Sequence, residues 1–467
     1  MNTELLCNDK HSKLNPTRVA KVLHPSSEEE VIAAIRHAVD KNLPVSICGA
    51  RHAMGGQQFG ADTLLLDISG LTQLHRVDDQ RGLVEVGAGI MWQELIEGLN
   101  MQQAGRDLVW SIRQKQTGAD DLTIGGSLAA NAHGRGLQLR PLIDDVEAFT
   151  LIDGDGRRHR CSRSENQERF SLAIGGYGCF GVMTSVLLRL TPLRKLERLV
   201  EIVTTDQVIS VLEERIREAC LYGDFQFSID ETSPDFLHLG VLSSYRPVDP
   251  STPMPATRDE LDAKDWESLI HLAHHDRAEV FKVYSDFYLS THKSLYWSDT
   301  HQLSVYLEDY HSQLDHECGA EVPASEMISE LYVPRDHLTS FMAATAKLLK
   351  DGSVPVIYGT VRLIEQDDQS FLAWARQNYA CIIFNLHTEH DEAGIARSSD
   401  AFRALIDLAL SFGGSYFLTY HRWARRDQIE KAYPQFQDFL KKKEEFDPNQ
   451  RFQSEWWRHH RNLFQKP

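Results

Sequence analysis

Three glycine-rich turns interrupt strand-like runs within about the first 190 residues: CGARHAMGGQQFG (48–60), DDLTIGGSLAANAHGRGL (120–137) and SLAIGGYGCFG (171–181). The first constrains the fold most. A short apolar run, Pro44-Val45-Ser46-Ile47-Cys48, stops at Gly49, and TLLLDIS then opens a second strand instead of a helix. A Rossmann phosphate loop delivers its glycines onto a helix N-terminus, so that fold is excluded. The GK[ST] of a Walker A loop is missing as well. The turns themselves, not a helix dipole, are expected to contact any anion. One glycine-rich turn is ordinarily explained by positive φ alone. Three in one strand-rich module point further, because clustered main-chain N–H groups make an anion nest suited to a diphosphate.

The surrounding pattern is mixed. Ser27 and Glu30 read as a capping box before a helix carrying Val31, Ile32, Ile35 and Val39. LHRV, DDQRG and LVEVGAG read as a hairpin, GIMWQELIEGL as a helix, and VEAFTLIDGDGRRHRCS as a hairpin on a DG turn. A β-branched strand runs to Pro192. From about 195 to 420 glycines thin out, and helical stretches (VISVLEERIREAC, HLTSFMAATAKLLKDG) alternate with strands (VPVIYGTVRLI, ACIIFNLHTE). With 467 residues, two or three domains are expected at roughly 150 residues each. The boundaries fall at 1–192, 193–420 and 421–467, and the class is α+β.

The net charge of -18, from 49 basic and 67 acidic side chains, disfavours nucleic acid and anionic membrane as partners. Seven scattered cysteines without a CxxC pair argue against a disulfide framework or zinc knuckle and suit a reducing cytoplasm. No signal-peptide core and no membrane span are expected. The 21 histidines lack metal-ligand spacing, so no metal is expected, and His274-His275 and His459-His460 read as surface pairs.

In order along the chain, CGARHAMGG, VEVGAG, LTIGGSLAANAHGRG, IGGYGCFGVMTSVLLRLTP, GGSYFLTYHRWA and FDPNQRF resemble the vanillyl-alcohol-oxidase (p-cresol methylhydroxylase) superfamily of FAD enzymes. The set is most similar to the aldonolactone and alditol oxidases, with the decaprenylphosphoryl-ribose oxidases nearby. The resemblance implies a two-subdomain FAD-binding domain, an α/β substrate (cap) domain over the flavin, and a C-terminal segment returning to the FAD side. It implies FAD as cofactor, cradled by Gly49, Ala50, Arg51, His52, Ala53 and Met54 in the first turn, with Gly89 behind it. Thr123, Gly126, Ser127, Asn131, His133 and Gly136 form the second flavin-contacting turn, and Gly178, Gly181 and Val182 the third. In alditol-oxidase-like members the histidine of a GxRHS-type turn bonds covalently to the flavin 8α carbon. His52 holds that position, with Ala53 where serine is usual; the alternative is a histidine that only hydrogen-bonds the cofactor. Arg51 either faces the phosphates or packs as a structural cation.

The implied reaction is oxidation of a small-molecule alcohol (sugar, polyol or aldonolactone) with oxygen or another electron acceptor. A hydride moves to flavin N5 and a proton to a base. Thr360-Val361-Arg362 resembles a Glu-x-Arg strand in which Arg362 keeps the cation but the carboxylate is missing. Arg362 alternatively pairs with Glu365. Asn385, with His387 beside it, offers a polar side chain toward substrate, and Tyr332 lines the cavity or the core. His421 in TYHRW is the expected proton acceptor. Two other readings stay open: a non-covalent FAD oxidase of a bulky or lipid-linked sugar alcohol, and a flavin-binding protein without activity.

Overall fold

The computed structural model describes residues 5–256, 260–304, 307 and 309–465. Its elements mix helices with four sheets. Three short parallel strands, Lys21–Leu23, Leu64–Asp67 and Val45–Cys48, make the first sheet, with Leu64–Asp67 in the middle. The helix Glu28–Asp40 buries Val31, Ala34, Ile35 and Ala38 beside it. Ser27 caps that helix by accepting from Glu30 N, but the Glu30 carboxylate reaches back to Ser26 N and not to the cap residue itself. A five-stranded antiparallel sheet follows, centred on Val182–Pro192, which pairs with Leu83–Gly87, Trp110–Ile112 and Val146–Ile152. The DG hairpin joins Val146–Ile152 to Arg158–Ser162 as expected.

Eight strands make the third large element, in the order Leu295–Trp297, Lys195–Thr204, Leu239–Pro247, Tyr222–Phe227, Val356–Ile364, Tyr379–Glu389, Ala324–Pro334, Ser415–Tyr416. Its two faces differ in kind. Leu331, Val333, Ile382, Phe384, Leu386, Val361, Leu363 and Phe225 share one face, buried in the larger hydrophobic core with side chains of helices Leu338–Gly352 and Glu392–Ser411. The alternate positions carry Glu326, Glu330, Tyr332, Cys381, Asn385, His387, Tyr358, Thr360, Arg362 and Gln226 on the other face. Side chains alternate across a strand, so these residues share one largely polar face, interrupted by Ile328 and Ile383. The segment 135–139 crosses onto this sheet: Gly136 bridges to Tyr222, and Leu137 N donates to Leu221 O at 2.9 Å.

The C-terminal FDPNQRF turn docks on the first sheet. Val45 bridges to Phe452 in parallel, and Val45 N donates to Arg451 O at 2.7 Å. Asp447 holds the turn, accepting from Arg451 N and Phe452 N at 2.9 Å each and pairing with Lys443, whose side chain is 0% exposed. Asp447→Ala strands that ammonium in the interior, so a loss of about 3–5 kcal/mol is expected, read as a lowered thermal midpoint against wild type. His460 is likewise interior, donating from Nδ1 to Trp456 O at 2.8 Å, so the 459–460 pair is not a surface feature. Among the described residues no helix is long and apolar enough to cross a membrane.

Candidate active site

The three glycine turns meet. Gly49 and Thr123 touch so closely that a Cβ on Gly49 would stand 2.2 Å from Thr123 Oγ1. His52 Nε2 lies 2.9 Å from Asp121 Oδ1, joining the first turn to the second. Tyr177 N donates to Ala129 O at 2.9 Å and Gly175 N to Leu128 O at 3.0 Å, joining the third to the second. Within the second turn a helix, Ile124–Ala130, departs from the loop that glycine content suggests. Thr123 caps it by accepting from Gly126 N at 3.2 Å, and Asn131 ends it in the left-handed region at φ 49°.

The turns fit a diphosphate. Among the described residues the amides of Ala50, Arg51, Ala53, Met54, Gly178 and Gly181 donate to no protein acceptor. Such N–H groups are what an anion nest requires. Gly178 lies in the left-handed region at φ +73°, and an added Cβ there would meet only Ile47 Cδ1, at 3.8 Å. Several of the expected contact residues also have packing or hydrogen-bonding partners within the protein. Gly89 lets Ile68 O approach to 1.9 Å of where its Cβ would be, and a Cβ on Gly181 would stand 2.6 Å from Ile152 O. Val182 is the strand partner of Ile152. The Ser127 hydroxyl, expected to bond flavin or substrate, donates to Thr123 O at 3.0 Å and accepts from Trp92 Nε1 at 3.1 Å. Asn131 is spent on Ile143 N and Asp367. Arg51 pairs with Asp67 at 3.0 Å.

The segment 8–15 clasps the first turn. Asn15 Nδ2 donates to Met54 O at 2.6 Å, and His11 Nε2 stands 2.8 Å from His52 Nδ1. Burial, and then the charge of His52, push the His11 pKa down to about 3, so His11 is neutral. Asp121 is held below the usual carboxylate range: partial burial opposes this, but hydrogen bonds from His52 and Lys10 prevail.

Facing the turns, the polar sheet face presents a buried ionisable pair. His133 Nδ1 lies 2.9 Å from Gly134 O, and a carbonyl can only accept, so Nδ1 carries a proton. Nε2 and Glu330 Oε1, 2.8 Å apart, therefore share one further proton. Tyr332 OH donates to the same oxygen, Tyr420 OH to Oε2 at 3.1 Å, and the Cys381 thiol approaches Oε1 at 3.5 Å. Burial disfavours the charged carboxylate, yet the charge and hydrogen bond of His133, with the Tyr332 donor, hold Glu330 below its ordinary pKa. Burial and the Glu330 charge raise both phenols well above theirs, so they remain donors.

Arg362 is buried on the same face, and among the described residues its guanidinium makes no hydrogen bond or ion pair. Glu365, its alternative partner, pairs with Arg335 at 2.8 Å. Glu330 stands level with Thr360 across the sheet, on the strand beyond Tyr379–Glu389, each being the register partner of Ile383. Asn385 keeps a buried Oδ1 without a partner among the described residues. His421 lies elsewhere, caged by Phe402, Tyr416 and Trp423, with burial pushing its pKa down to about 3. Its neighbour Tyr420 is the residue that reaches the pair. Tyr332 itself stacks on Trp374.

Folding and site together define a flavoprotein of the oxidoreductase class: residues 19–162 match the family model of an FAD binding domain. Residues 186–460 match the model for D-arabinono-1,4-lactone oxidase, and the chain belongs to that family of FAD-linked oxidoreductases. An L-gulonolactone oxidase of Bos taurus is 26% identical over 195 residues, 42% of this chain and 42% of its own length. Cytokinin dehydrogenase 9 of Oryza sativa subsp. japonica is 26% identical over 52% of this chain and 46% of its own length. An uncharacterized oxidoreductase in the fasciation locus of Rhodococcoides fascians is 28% identical over 36% of this chain and 37% of its own length. The matches thus span less than half of these relatives.

Proposed function

We propose that this chain oxidises a CH–OH group of a sugar-, polyol- or aldonolactone-type substrate with FAD as cofactor. One observation carries the reading: a buried guanidinium without an acceptor among the described residues shares a face with a carboxylate that holds one proton jointly with His133. FAD, when bound, supplies the acceptor for the carbinol hydride. The chain's residues do the rest. The His133–Glu330 pair accepts the hydroxyl proton, Tyr332 and Tyr420 fix the carboxylate, and Arg362 opposes the negative charge that develops. Asn385 Oδ1 accepts from a second substrate hydroxyl. Glu330 restores the Glu and Arg combination of polyol oxidation, which with the family match favours this substrate class over a lipid-linked sugar. An external electron acceptor, oxygen or another, completes the cycle.

In this reading residues 1–192 form a two-subdomain FAD-binding domain, 193–420 the cap and 421–467 a return segment. His52 tethers the flavin, with Asp121, 2.9 Å from Nε2, fixing the orientation of its ring. Acid precipitation of the purified protein is expected to leave flavin on the pellet, and His52→Ala to release all of it to the supernatant. Flavin freed from wild type by acid contradicts the tether and leaves the oxidation chemistry standing.

A further inference from the structure

Glu326 stands on the same polar face as Glu330, four residues earlier in the strand Ala324–Pro334, about 13 Å away along extended chain. Imidazoles from three elements converge on its buried carboxylate. His274, at the end of helix Ala263–His275 and not on the open surface, brings Nε2 to 3.0 Å from Oε1. His387, the cross-strand partner, brings Nδ1 to 3.6 Å from the same oxygen. His311 Nδ1 lies 3.1 Å from Oε2, to which Tyr310 OH also donates.

Three of these atoms, His274 Nε2, His387 Nδ1 and Glu326 Oε1, lie within 4.8 Å of one another and are buried without a hydrogen bond of sound geometry among the described residues. Native folds rarely leave such atoms unsatisfied. The contrast with Glu330 is direct: there His133 and the carboxylate also approach a cysteine, but they satisfy each other with a well-formed hydrogen bond. Ligand bonds of about 2.0–2.1 Å at tetrahedral angles set ligand atoms about 3.3 Å apart. The separations of 3.0 and 3.6 Å bracket that spacing.

We propose that His274, His387 and Glu326 bind a divalent first-row transition metal ion of the zinc class. Two imidazoles and one carboxylate are borderline ligands of the right kind, and they leave a fourth position for an oxygen ligand. His311 and Tyr310 orient the carboxylate through its other oxygen. Linear spacing gives no sign of such a site, because its ligands lie 52 and 61 residues apart along the chain.

The test uses full-length, tag-free protein stripped with a chelator and titrated with Zn2+ or Co2+ alone. One ion per chain is expected by calorimetry, with a visible cobalt band that zinc displaces. Paramagnetically shifted NMR signals of the cobalt form should show two imidazole N–H groups, a wild-type readout independent of any variant. Glu326→Gln, His274→Ala and His387→Ala should each weaken binding by more than the about 10–100-fold an outer partner is worth, and His311→Ala within that range. Failure of wild type to take up either ion stoichiometrically overturns the proposal, as does uptake that the three ligand variants leave unchanged.

Discussion

Glu330→Gln is expected to keep FAD and to lose about 10²–10⁴-fold in the rate at which substrate bleaches the flavin under anaerobic conditions. Glutamine preserves the volume, but its single amide oxygen can accept from only one of Tyr332 and Tyr420, the phenols that now bind separate carboxylate oxygens. It cannot take a proton, and it removes the counter-charge of His133 at 2.8 Å. The loss should therefore appear in the reduction step and not in substrate affinity, since Arg362 and Asn385 are untouched. A variant that bleaches at the wild-type rate would move the proton acceptor away from this pair and back toward His421.

Acid should unfold the protein, starting below about pH 6.5. Burial drives the His11, His421 and His460 pKa values down from 6.5 to about 3 each, with further lowering by His52, Arg403 and His459 respectively. Burial likewise holds His301 well below 6.5, so below pH 6.5 the unfolded chain binds about four protons at these sites that the folded chain refuses, and stability rises with pH across that window. Asp145 acts oppositely: burial lifts its pKa to about 6, so between its ordinary 3.8 and 6 the folded state binds one proton more. The net difference of about three protons corresponds to roughly 4 kcal/mol per pH unit in the shared window. Glu330 and Glu326, held below their ordinary values, add to acid lability only below the unfolded carboxylate range. Urea midpoints measured from pH 7.5 down to 5 check this, and His421→Leu should flatten the slope by about one proton. A midpoint independent of pH over that range contradicts the burial of these imidazoles.

Local signals in the sequence identify local structure well. Ser27 before an apolar 3.6-residue period marks the helix Glu28–Asp40, and the DG turn marks the hairpin 146–162. The helix Ile124–Ala130 is hidden because Gly125 and Gly126 are poor helix formers. Packing overrides them: a Cβ on Gly125 would stand 3.0 Å from Ala88. The site is harder to read because it is assembled across strands. Glu330 and Arg362 lie on strands separated in the sheet by Tyr379–Glu389, and no motif joins them. The alternation Ser329-Glu330-Leu331-Tyr332 carries a signal that Tyr332 alone does not, namely a carboxylate two places before it on one face. The move from His421 to Tyr420 is a shift of one residue, which sends the neighbouring side chains in different directions.

The most direct test of the central claim is anaerobic titration of the FAD-loaded protein with a panel of aldonolactones, alditols and sugars, following the visible flavin absorbance. Bleaching by at least one CH–OH donor, slowed by Glu330→Gln, is the expected result. A protein that holds FAD but is bleached by none of them, or one that retains no FAD at all, contradicts the account.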